Sequence, residues 1–428
     1  MKIDSRHCLL VVLLFSLSSC LLTEDDLFPE SAALRLNHAI DQAKATLLAA
    51  ETGWVMDYFP TPESGGYTLL VKFDRSGLAT VAARNTYFPT FTSSSGTFDV
   101  IGDNGPVLTF NSYNDLFHSF SNPENPTGIG LGGDYEFIIL EVTDDLIKLK
   151  GKKRATDIRL RKLTAEEGWE AFANTVHDMD AFLFDPKAPS LFVHIGDKKY
   201  IATEGANHVF SMLPEGADKN LSEPERLPFI VTPNGLRLYK PYESGEGSEK
   251  IEVQHFVLNP DKTALVASEN STVRITGQPA TAFFLDSLNW TGTNAWVIDK
   301  EHLGGLFSTA YQQVVENCKT KYKEDFDSFF LTYKGARRGK TFSFKSGRYE
   351  GAYDFEIALV NDRPVFTYKG TADRNGEIYL ANIGGIGDFI AALGGDTYTV
   401  TADSPICPTV LTLTGVSNPN NWFKLILK

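Results

Sequence analysis

The chain has 428 residues, of which 42% are hydrophobic and 22% are charged. These are the proportions of globular proteins, and they exclude a largely disordered chain. The formal net charge of −14 argues against nucleic acid as a partner, and against a basic surface that binds anionic lipids. Aromatic residues reach 12%, with 35 glycines and 20 prolines, a balance that favours β-sheets joined by tight turns.

The first 19 residues have the three parts of an export signal peptide. Lys2 and Arg6 supply positive charge, and residues 8–15 form an unbroken apolar run. A helix of that length extends only about 12 Å, too short to cross a hydrocarbon core of about 30 Å. The sequence therefore predicts a cleaved leader at 1–19 and not a membrane-spanning helix.

The leader ends in Leu17-Ser18-Ser19-Cys20, which resembles the lipobox read by lipoprotein signal peptidase. Small side chains at 18 and 19 fit such a peptidase, and the Cys20 thiol accepts the lipid. We therefore predict cleavage between Ser19 and Cys20 and lipidation of Cys20; an ordinary secretory peptide is the alternative. Each buried methylene contributes about 0.8 kcal/mol, so two or three acyl chains such as palmitate form a stable anchor.

Residues 20–27 are predicted to be a lipidated N-terminus and an acidic linker. Leu21, and not Asp, follows the lipidated cysteine, so the usual inner-membrane retention signal is absent. The acidic residues 24–26 resemble an export signal to the outer face of the outer membrane, although a solvated linker has the same composition. We expect an outer-membrane location with the body facing outward; a periplasmic orientation is the alternative.

Residues 28–163 are predicted to form a helix followed by a β unit. The helix at 28–51 carries an apolar stripe and ends near Gly53. Alternating strands follow, separated by turn sequences such as Asp74-Arg75-Ser76-Gly77. About seven strands in this span suit one small barrel or sandwich.

A connecting helix is predicted within 164–189, and a C-terminal β-rich unit within 190–428. Prolines at 186 and 189 mark the break after the helix. In the C-terminal unit, 373–376 are predicted to be a hairpin turn before a strand at 377–380. The fold class is thus mainly β (α+β), with two β-barrel or sandwich-like units built from antiparallel hairpins and a few packing helices.

Two sequence echoes link these units. Gly132-Gly133-Asp134-Tyr135 resembles Gly394-Gly395-Asp396-Thr397-Tyr398, and Asn104-Gly105 before a strand resembles Asn234-Gly235. Two related β units would explain both echoes. Convergent turn chemistry is the alternative.

Cysteine usage leaves two thiols in the processed chain, Cys318 and Cys407. In an exported protein they could form a disulfide that closes a loop of about 90 residues and stabilises by about 4 kcal/mol. Two buried free thiols are the alternative. Without a nearby histidine cluster, they are not expected to bind zinc.

Sequence motifs of catalysis and cofactor binding are missing. Neither the HExxH motif of metalloproteases nor the GxSxG motif of serine hydrolases occurs, and the glycine-rich 335–341 is one residue short of a phosphate-binding loop. We therefore predict no catalytic residues, no cofactor and no metal site. Paired carboxylates for glycoside cleavage stay open, because sequence does not give their separation.

Aromatic side chains are the remaining functional candidates. Exposed rings could stack on sugars or pack against a partner, whereas core packing is the alternative for the same residues. The possible ligand-facing aromatics are Tyr87, Phe88, Phe91, Trp290 and Trp296.

The chain resembles an uncharacterised Bacteroidetes lipoprotein family, catalogued as domain of unknown function 4302. The resemblance is carried by residues 28–35, Gly-Trp-Val-Met-Asp-Tyr at 53–58, residues 65–67 and 73–77, and the closing segments 394–398 and 418–423. It implies an exported lipoprotein, often encoded beside nutrient-uptake systems with a TonB-dependent importer and a surface glycan-binding lipoprotein. It brings no catalytic residues.

From the anchor, the resemblance and the missing catalytic motifs we expect a non-enzymatic accessory protein. It would bind or scaffold in glycan or peptide uptake, attached to the membrane by its N-terminal lipid. A surface hydrolase with unrecognised carboxylates and a structural or adhesive surface protein are the alternatives.

Overall fold

The computed structural model describes residues 30–428 except 123–129, 165–166, 189, 205–206, 219–220, 248–249, 290–295 and 334–338. The predicted leader 1–19, the cleavage and lipidation site at Ser19 and Cys20, the linker 20–27 and Trp290 lie outside the described residues. In the part of the chain that is described, no helix is long and apolar enough to cross a membrane.

The first unit is a helix followed by a closed eight-stranded barrel. Its elements are α1 (Ala32–Ala49), β1 (Trp54–Tyr58), β2 (Tyr67–Phe73), β3 (Leu78–Ala83), β4 (Thr92–Asp103), β5 (Gly105–Phe110), α2 (Asp115–His118), β6 (Glu136–Val142), β7 (Leu146–Gly151) and β8 (Asp157–Lys162). The strands pair antiparallel in chain order, and β8 pairs with β1 to close the barrel. Ala43 and Leu47 of α1 join the barrel core, and the indole nitrogen of Trp54 donates to the Leu47 carbonyl at 3.1 Å.

The second unit repeats this plan. Its elements are α3 (Trp169–Leu183), β9 (Ser190–Ile195), β10 (Lys198–Glu204), β11 (Val209–Pro214), β12 (Glu225–Thr232), β13 (Gly235–Ser244), β14 (Ile251–Leu258), β15 (Ala264–Ala267) and β16 (Val273–Thr276). Pairing again follows chain order, and β16 returns to β9 to close the barrel.

The third unit is an eight-stranded sheet that is nearly closed. Its elements are α4 (Ala280–Ser287), β17 (Trp296–Leu303), α5 (Gly305–Asn317) with a π-helical turn (Cys318–Tyr322), β18 (Phe326–Tyr333), β19 (Lys340–Ser346), β20 (Tyr349–Val360), β21 (Arg363–Thr371), α6 (Arg374–Asn382), α7 (Ile386–Gly394), β22 (Tyr398–Ala402), β23 (Val410–Gly415) and β24 (Trp422–Leu427). Strand β24 pairs with β17, whereas β21 and the chain before β22 are joined by a single bridge between Val365 and Thr397.

The predicted mainly β class, with barrels built from antiparallel hairpins, is confirmed. The span 190–428, predicted as one C-terminal unit, contains both the second barrel and the third sheet. Strands of the two sheets show the same alternation, so the pattern alone does not mark the boundary at α4. The predicted strand at 377–380 is wrong: it lies in α6, because the Asp373 carboxylate caps this helix by accepting from the Gly376 amide at 2.8 Å.

The first two barrels share a hydrophobic core that includes α3. Val55, Leu70 and Ala82 on the outer face of the first barrel belong to the same buried cluster as Phe172 and Val176 of α3 and the interior of the second barrel. This helix therefore packs between the two barrels, and buried apolar area holds them together.

Both sequence echoes fall at equivalent places in the units. Asn104-Gly105 and Asn234-Gly235 lie in the turns between the fourth and fifth strands of their barrels, where the third unit has Asn361-Asp362 at positive φ. The two Gly-Gly-Asp motifs both precede the sixth strand of their units. The repeat therefore comprises a helix and eight strands, and the described residues form three such units.

Candidate functional site

Asp134, which precedes β6, fixes the turn between β7 and β8. Its carboxylate Oδ2 accepts from the backbone amides of Lys153 at 3.1 Å and Arg154 at 2.8 Å. The residue is 4% exposed, and burial raises the pKa of this carboxyl although the two amides oppose the shift. A Cβ at Gly151 would lie only 2.4 Å from Oδ2, so glycine is required there.

Beside this turn, three rings form a stack on the surface. The His118 ring lies 4.9 Å from the Tyr113 ring and 5.1 Å from the Tyr135 ring, with interplanar angles of 31° and 23°. Tyr113 is 59% exposed and Tyr135 is 43% exposed. The Asn114 side chain caps α2 by accepting from the Phe117 amide, which places His118 at the end of this short helix. Tyr135 directly follows the buried Asp134 in the chain. The hydrogen bonds between Asp134 and the turn that joins β7 to β8 therefore fix the backbone that carries the Tyr135 ring.

The stack borders a pocket of about 570 Å³, which we call the aromatic pocket. Its lining residues are Tyr113, His118, Ser121, Asn122, Gly133, Asp134, Tyr135, Glu136, Lys152 and Lys153. The Asn122 side-chain amide donates to the Tyr113 hydroxyl at 2.8 Å, and Lys152 Nζ lies 3.5 Å from Glu136 Oε2. Ring faces beside hydrogen-bonding groups are the surface that a sugar ring requires, with its apolar CH face and its hydroxyl edge.

The carboxylates of the aromatic pocket are already engaged. Asp134 accepts two backbone amides, and Glu136 lies beside the Lys152 ammonium. Glycoside hydrolysis requires one carboxyl group as a proton donor and a second as a base or nucleophile. In this arrangement both carboxyl groups already have partners, so neither is free for these two roles.

The predicted loop aromatics are largely packed. Tyr87 is 48% exposed, but its ring packs against Tyr67 at 5.4 Å and Phe120 at 5.8 Å. Phe88 packs on the core of the first barrel, and Phe91 packs on the core around α3; both are half-buried. Of these three, Tyr87 alone presents a large exposed surface.

The ligand-facing interpretation of Trp296 is wrong. This side chain is 1% exposed and belongs to the core of the third unit, and its indole nitrogen donates to the Ser287 hydroxyl at 2.6 Å. As the first residue of β17 it occupies the place that Trp54 has in β1. Its partner in the prediction, Trp290, lies outside the described residues.

The possible disulfide between Cys318 and Cys407 is not formed. Both are buried free thiols in the third unit, and burial raises the pKa of Cys318 to about 11 and that of Cys407 to about 12. These thiols stay protonated and unreactive at neutral pH. Over the described residues, no group of three or more histidine, cysteine or acidic side chains is arranged to hold a metal ion.

His208, which is buried, contacts both the first barrel and α3. Its Nδ1 lies 3.1 Å from the Gly66 carbonyl of the first barrel, and its Nε2 lies 3.0 Å from the Asp180 carboxylate of α3. Burial lowers the pKa of His208, but Asp180, the Gly66 carbonyl and Glu204 outweigh burial, and the net shift is upward. Since both ring nitrogens face acceptors, the imidazolium form fits the site, and this histidine fixes the barrels instead of acting as a base.

Sequence reasoning missed the residues of the aromatic pocket. Tyr113 and His118 follow β5, Tyr135 lies just before β6, and the pairing of β5 with β6 brings the two ends of this connection together. The one available signal was the Gly-Gly-Asp echo, which directly precedes Tyr135.

The fold and site define a protein of three eight-stranded β units with an exposed aromatic pocket. The chain belongs to the family described as domain of unknown function (DUF4302), whose model matches residues 24–260, more than half of the chain. That span contains the aromatic pocket. No curated protein matches the chain.

Solved structures that match the chain include subunits of bacterial DNA polymerase. The β subunit from Streptococcus pyogenes is 12% identical, with 92% of this chain and 97% of that chain covered, and has a TM-score of 0.13. The sliding clamp from Pseudomonas aeruginosa, solved with a ligand, is 10% identical, with 91% and 96% covered, and has a TM-score of 0.12. Superpositions this poor carry no argument about the fold or function of the present chain.

Proposed function

We propose that the chain is a lipid-anchored protein of the bacterial outer membrane that binds glycans without cleaving them. The observation that carries this proposal is the aromatic pocket, where the exposed rings of Tyr113 and Tyr135 lie beside side chains that donate and accept hydrogen bonds. Apolar ring faces with a few polar groups are typical of small-molecule sites.

The proposed lipid anchor would attach the folded part of the protein to a membrane. Lipidation at Cys20 would hold it by acyl chains, and the linker 20–27 separates the lipid from α1. In the Bacteroidetes setting that the sequence resemblance implies, the protein would act as an accessory to nutrient uptake, facing outward. Its partners would be a TonB-dependent importer and the surface binding lipoprotein of that importer.

Glycan binding is tested with a soluble form that begins at Thr23. We expect this form to bind at least one oligosaccharide in an array screen, with the affinity then measured by calorimetry. Tyr135→Ala and Tyr113→Ala should each weaken binding about tenfold, which corresponds to about 1.4 kcal/mol of lost stacking.

Tyr349→Ala is the matched control, because Tyr349 is a comparably exposed tyrosine (44%) on the third sheet. It should leave the affinity unchanged. If no glycan binds, or if the control and the pocket variants lose equal affinity, the aromatic pocket is not the binding site.

The anchor is tested separately by Cys20→Ala. We expect wild-type protein in the membrane fraction with an intact mass that includes fatty acids. The variant should carry no added fatty acids, because the thiol that accepts the lipid is gone. Wild-type protein without added fatty acids would contradict the anchor and leave the glycan prediction standing.

A further inference from the structure

A cleft of about 840 Å³, which we call the inter-barrel cleft, lies between the first two barrels. One wall is formed by outward-facing residues of β1, β2 and β8, and the other by residues of β12, β13 and β14. Apolar side chains line part of it, among them Val55, Phe172 and Val231. It shares no lining residue with the aromatic pocket and is independent of the proposed glycan binding.

Arg237 carries a buried positive charge at this cleft. It lies on β13 between two core leucines, so it projects outward from the second barrel, yet it is only 5% exposed. One terminal nitrogen donates to Asp57 Oδ2 of the first barrel at 2.7 Å, and the other donates to the Leu238 carbonyl at 3.3 Å. Among the residues that the structure describes, its Nε has no hydrogen-bond partner.

Arg159 brings a second guanidinium to the same carboxylate. It lies directly opposite Asp57 in the pairing of β8 with β1 and is half-buried. In the described chain, Arg159 has no side-chain hydrogen bond and no ion pair. Burial and the charge of Arg237 lower the pKa of Arg159, while Asp57 and the exposed Asp157 oppose that shift.

The other charges of the cleft compensate one another. Arg161 lies 3.6 Å from Glu167, and its guanidinium also lies over the Phe172 ring at 5.5 Å. Of the lining residues that the structure describes, Asp57 is therefore the single carboxylate left for Arg159 and Arg237 together. A partly buried cation without a counter-charge is unfavourable, and an incoming anion would relieve that cost.

We infer that the inter-barrel cleft binds a small anionic molecule, whose carboxylate, sulfate or phosphate group is held by Arg159 while its apolar part packs against Phe172 and Val231. A guanidinium presents two parallel N–H donors that match such oxygen pairs. The net charge of −14 repels large polyanions. Salt screens this repulsion beyond about 8 Å, so a small anion in the cleft is still attracted by the nearby arginines.

Calorimetry and thermal unfolding test this on the form that begins at Thr23. The probes are sodium sulfate, inorganic phosphate, glucuronate and neutral glucose, all at constant ionic strength. We expect saturable 1:1 binding of at least one anion, a higher unfolding temperature in its presence, and no such effect of glucose. The three anions distinguish an inorganic ion from an organic acid.

Arg159→Gln should weaken the anion at least tenfold without unfolding the protein, because Arg159 has no ion pair to lose. Arg363→Gln, at an exposed position of the third sheet, is the matched control and should bind as wild type does. Tyr135→Ala should also leave anion binding unchanged. The inference is overturned if no anion binds saturably, if Arg159→Gln binds as tightly as wild type, or if Tyr135→Ala removes anion binding.

Discussion

The first barrel and the third sheet follow the same plan and differ in closure and in surface chemistry. Each begins with a buried tryptophan and places an aspartate before its sixth strand. The first barrel closes because β5 pairs with β6 over three residues, whereas the third sheet has only the bridge between Val365 and Thr397 at that seam. The shared plan therefore does not require a complete ring of strands.

Asp396 fixes a turn of the third sheet in the same way that Asp134 fixes a turn of the first barrel. Its carboxylate accepts from the amides of Ser417 at 3.0 Å and Asn418 at 3.2 Å, in the turn between β23 and β24. A Cβ at Gly415 would lie 2.7 Å from Asp396 Oδ2, the same constraint that Gly151 meets in the first barrel. We call each of these aspartates, Asp134 and Asp396, with the two backbone amides of the turn that its carboxylate accepts from, an aspartate clamp. Since both units have one, the clamp belongs to the plan that they share.

The surface beside the two clamps is different. Thr397 follows Asp396 where Tyr135 follows Asp134, and the neighbouring pocket of about 510 Å³ in the third unit has no aromatic residue in its lining. A common turn thus carries a ring stack in one unit and small polar side chains in the other. This comparison teaches that the clamp shapes the pocket while the residues around it decide what the pocket can bind.

Replacing the aspartate of each clamp tests the comparison between the two units. We expect these substitutions to have the largest effect on stability. Asp134→Ala removes a buried acceptor and leaves the partly buried amides of Lys153 and Arg154 without it, which should destabilise the first barrel by about 2–4 kcal/mol. Asp396→Ala should cost the third unit about 1–2 kcal/mol, because Asp396 is only half-buried and water can replace it. Hydrogen exchange measured by mass spectrometry should show faster exchange in the turn that each variant affects.

Asp144→Ala, at an exposed turn of the first barrel, is the control and should change stability by less than about 0.5 kcal/mol. Equal losses for Asp134→Ala and Asp396→Ala would mean that burial does not separate the two clamps. A loss that spread to all three units would contradict independent clamps.

Local chemistry made much of the fold predictable. The turn at 74–77 joins β2 to β3 as its Asp and Gly residues indicated, and the Asp74 carboxylate accepts from the Ser76 and Leu78 amides there. Residues 377–380 were mistaken for a strand because a short apolar run has no clear period. The helix there depends on Asp373, whose carboxylate caps it by accepting from the Gly376 amide. Aspartate is also common in hairpin turns, so the residue type alone does not distinguish the two structures.

The aromatic pocket and the inter-barrel cleft depend on contacts that sequence does not encode locally. Asp57 and Arg237 are 180 positions apart, and their ion pair exists because α3 packs the two barrels against each other. Tyr113 and Tyr135 are likewise joined by strand pairing across the α2 connection. Alternation assigned residues to faces of strands, but it did not say which faces meet.

The smallest expected effect is a pH dependence of opposite sign in the two clamps. Burial raises the pKa of Asp396, but the amides of Ser417, Thr397 and Asn418 outweigh burial, and the net shift is downward from 3.8. For Asp134 burial prevails over the amides of Arg154 and Lys153, and the net shift is upward from 3.8.

A carboxyl group whose pKa is lowered by folding stabilises the folded protein at pH values above its unfolded pKa, and this contribution is lost as the pH falls through the folded pKa. A carboxyl group whose pKa is raised by folding stabilises the folded protein below its unfolded pKa, and this contribution is lost as the pH rises through the folded pKa. Between pH 7 and pH 3, the stability advantage of wild type over Asp396→Ala should therefore shrink, and that over Asp134→Ala should grow. Hydrogen exchange in the two turns, corrected for the intrinsic pH dependence of exchange, measures both. If the two advantages changed in the same direction, burial would not be what distinguishes the clamp of the first barrel from that of the third sheet.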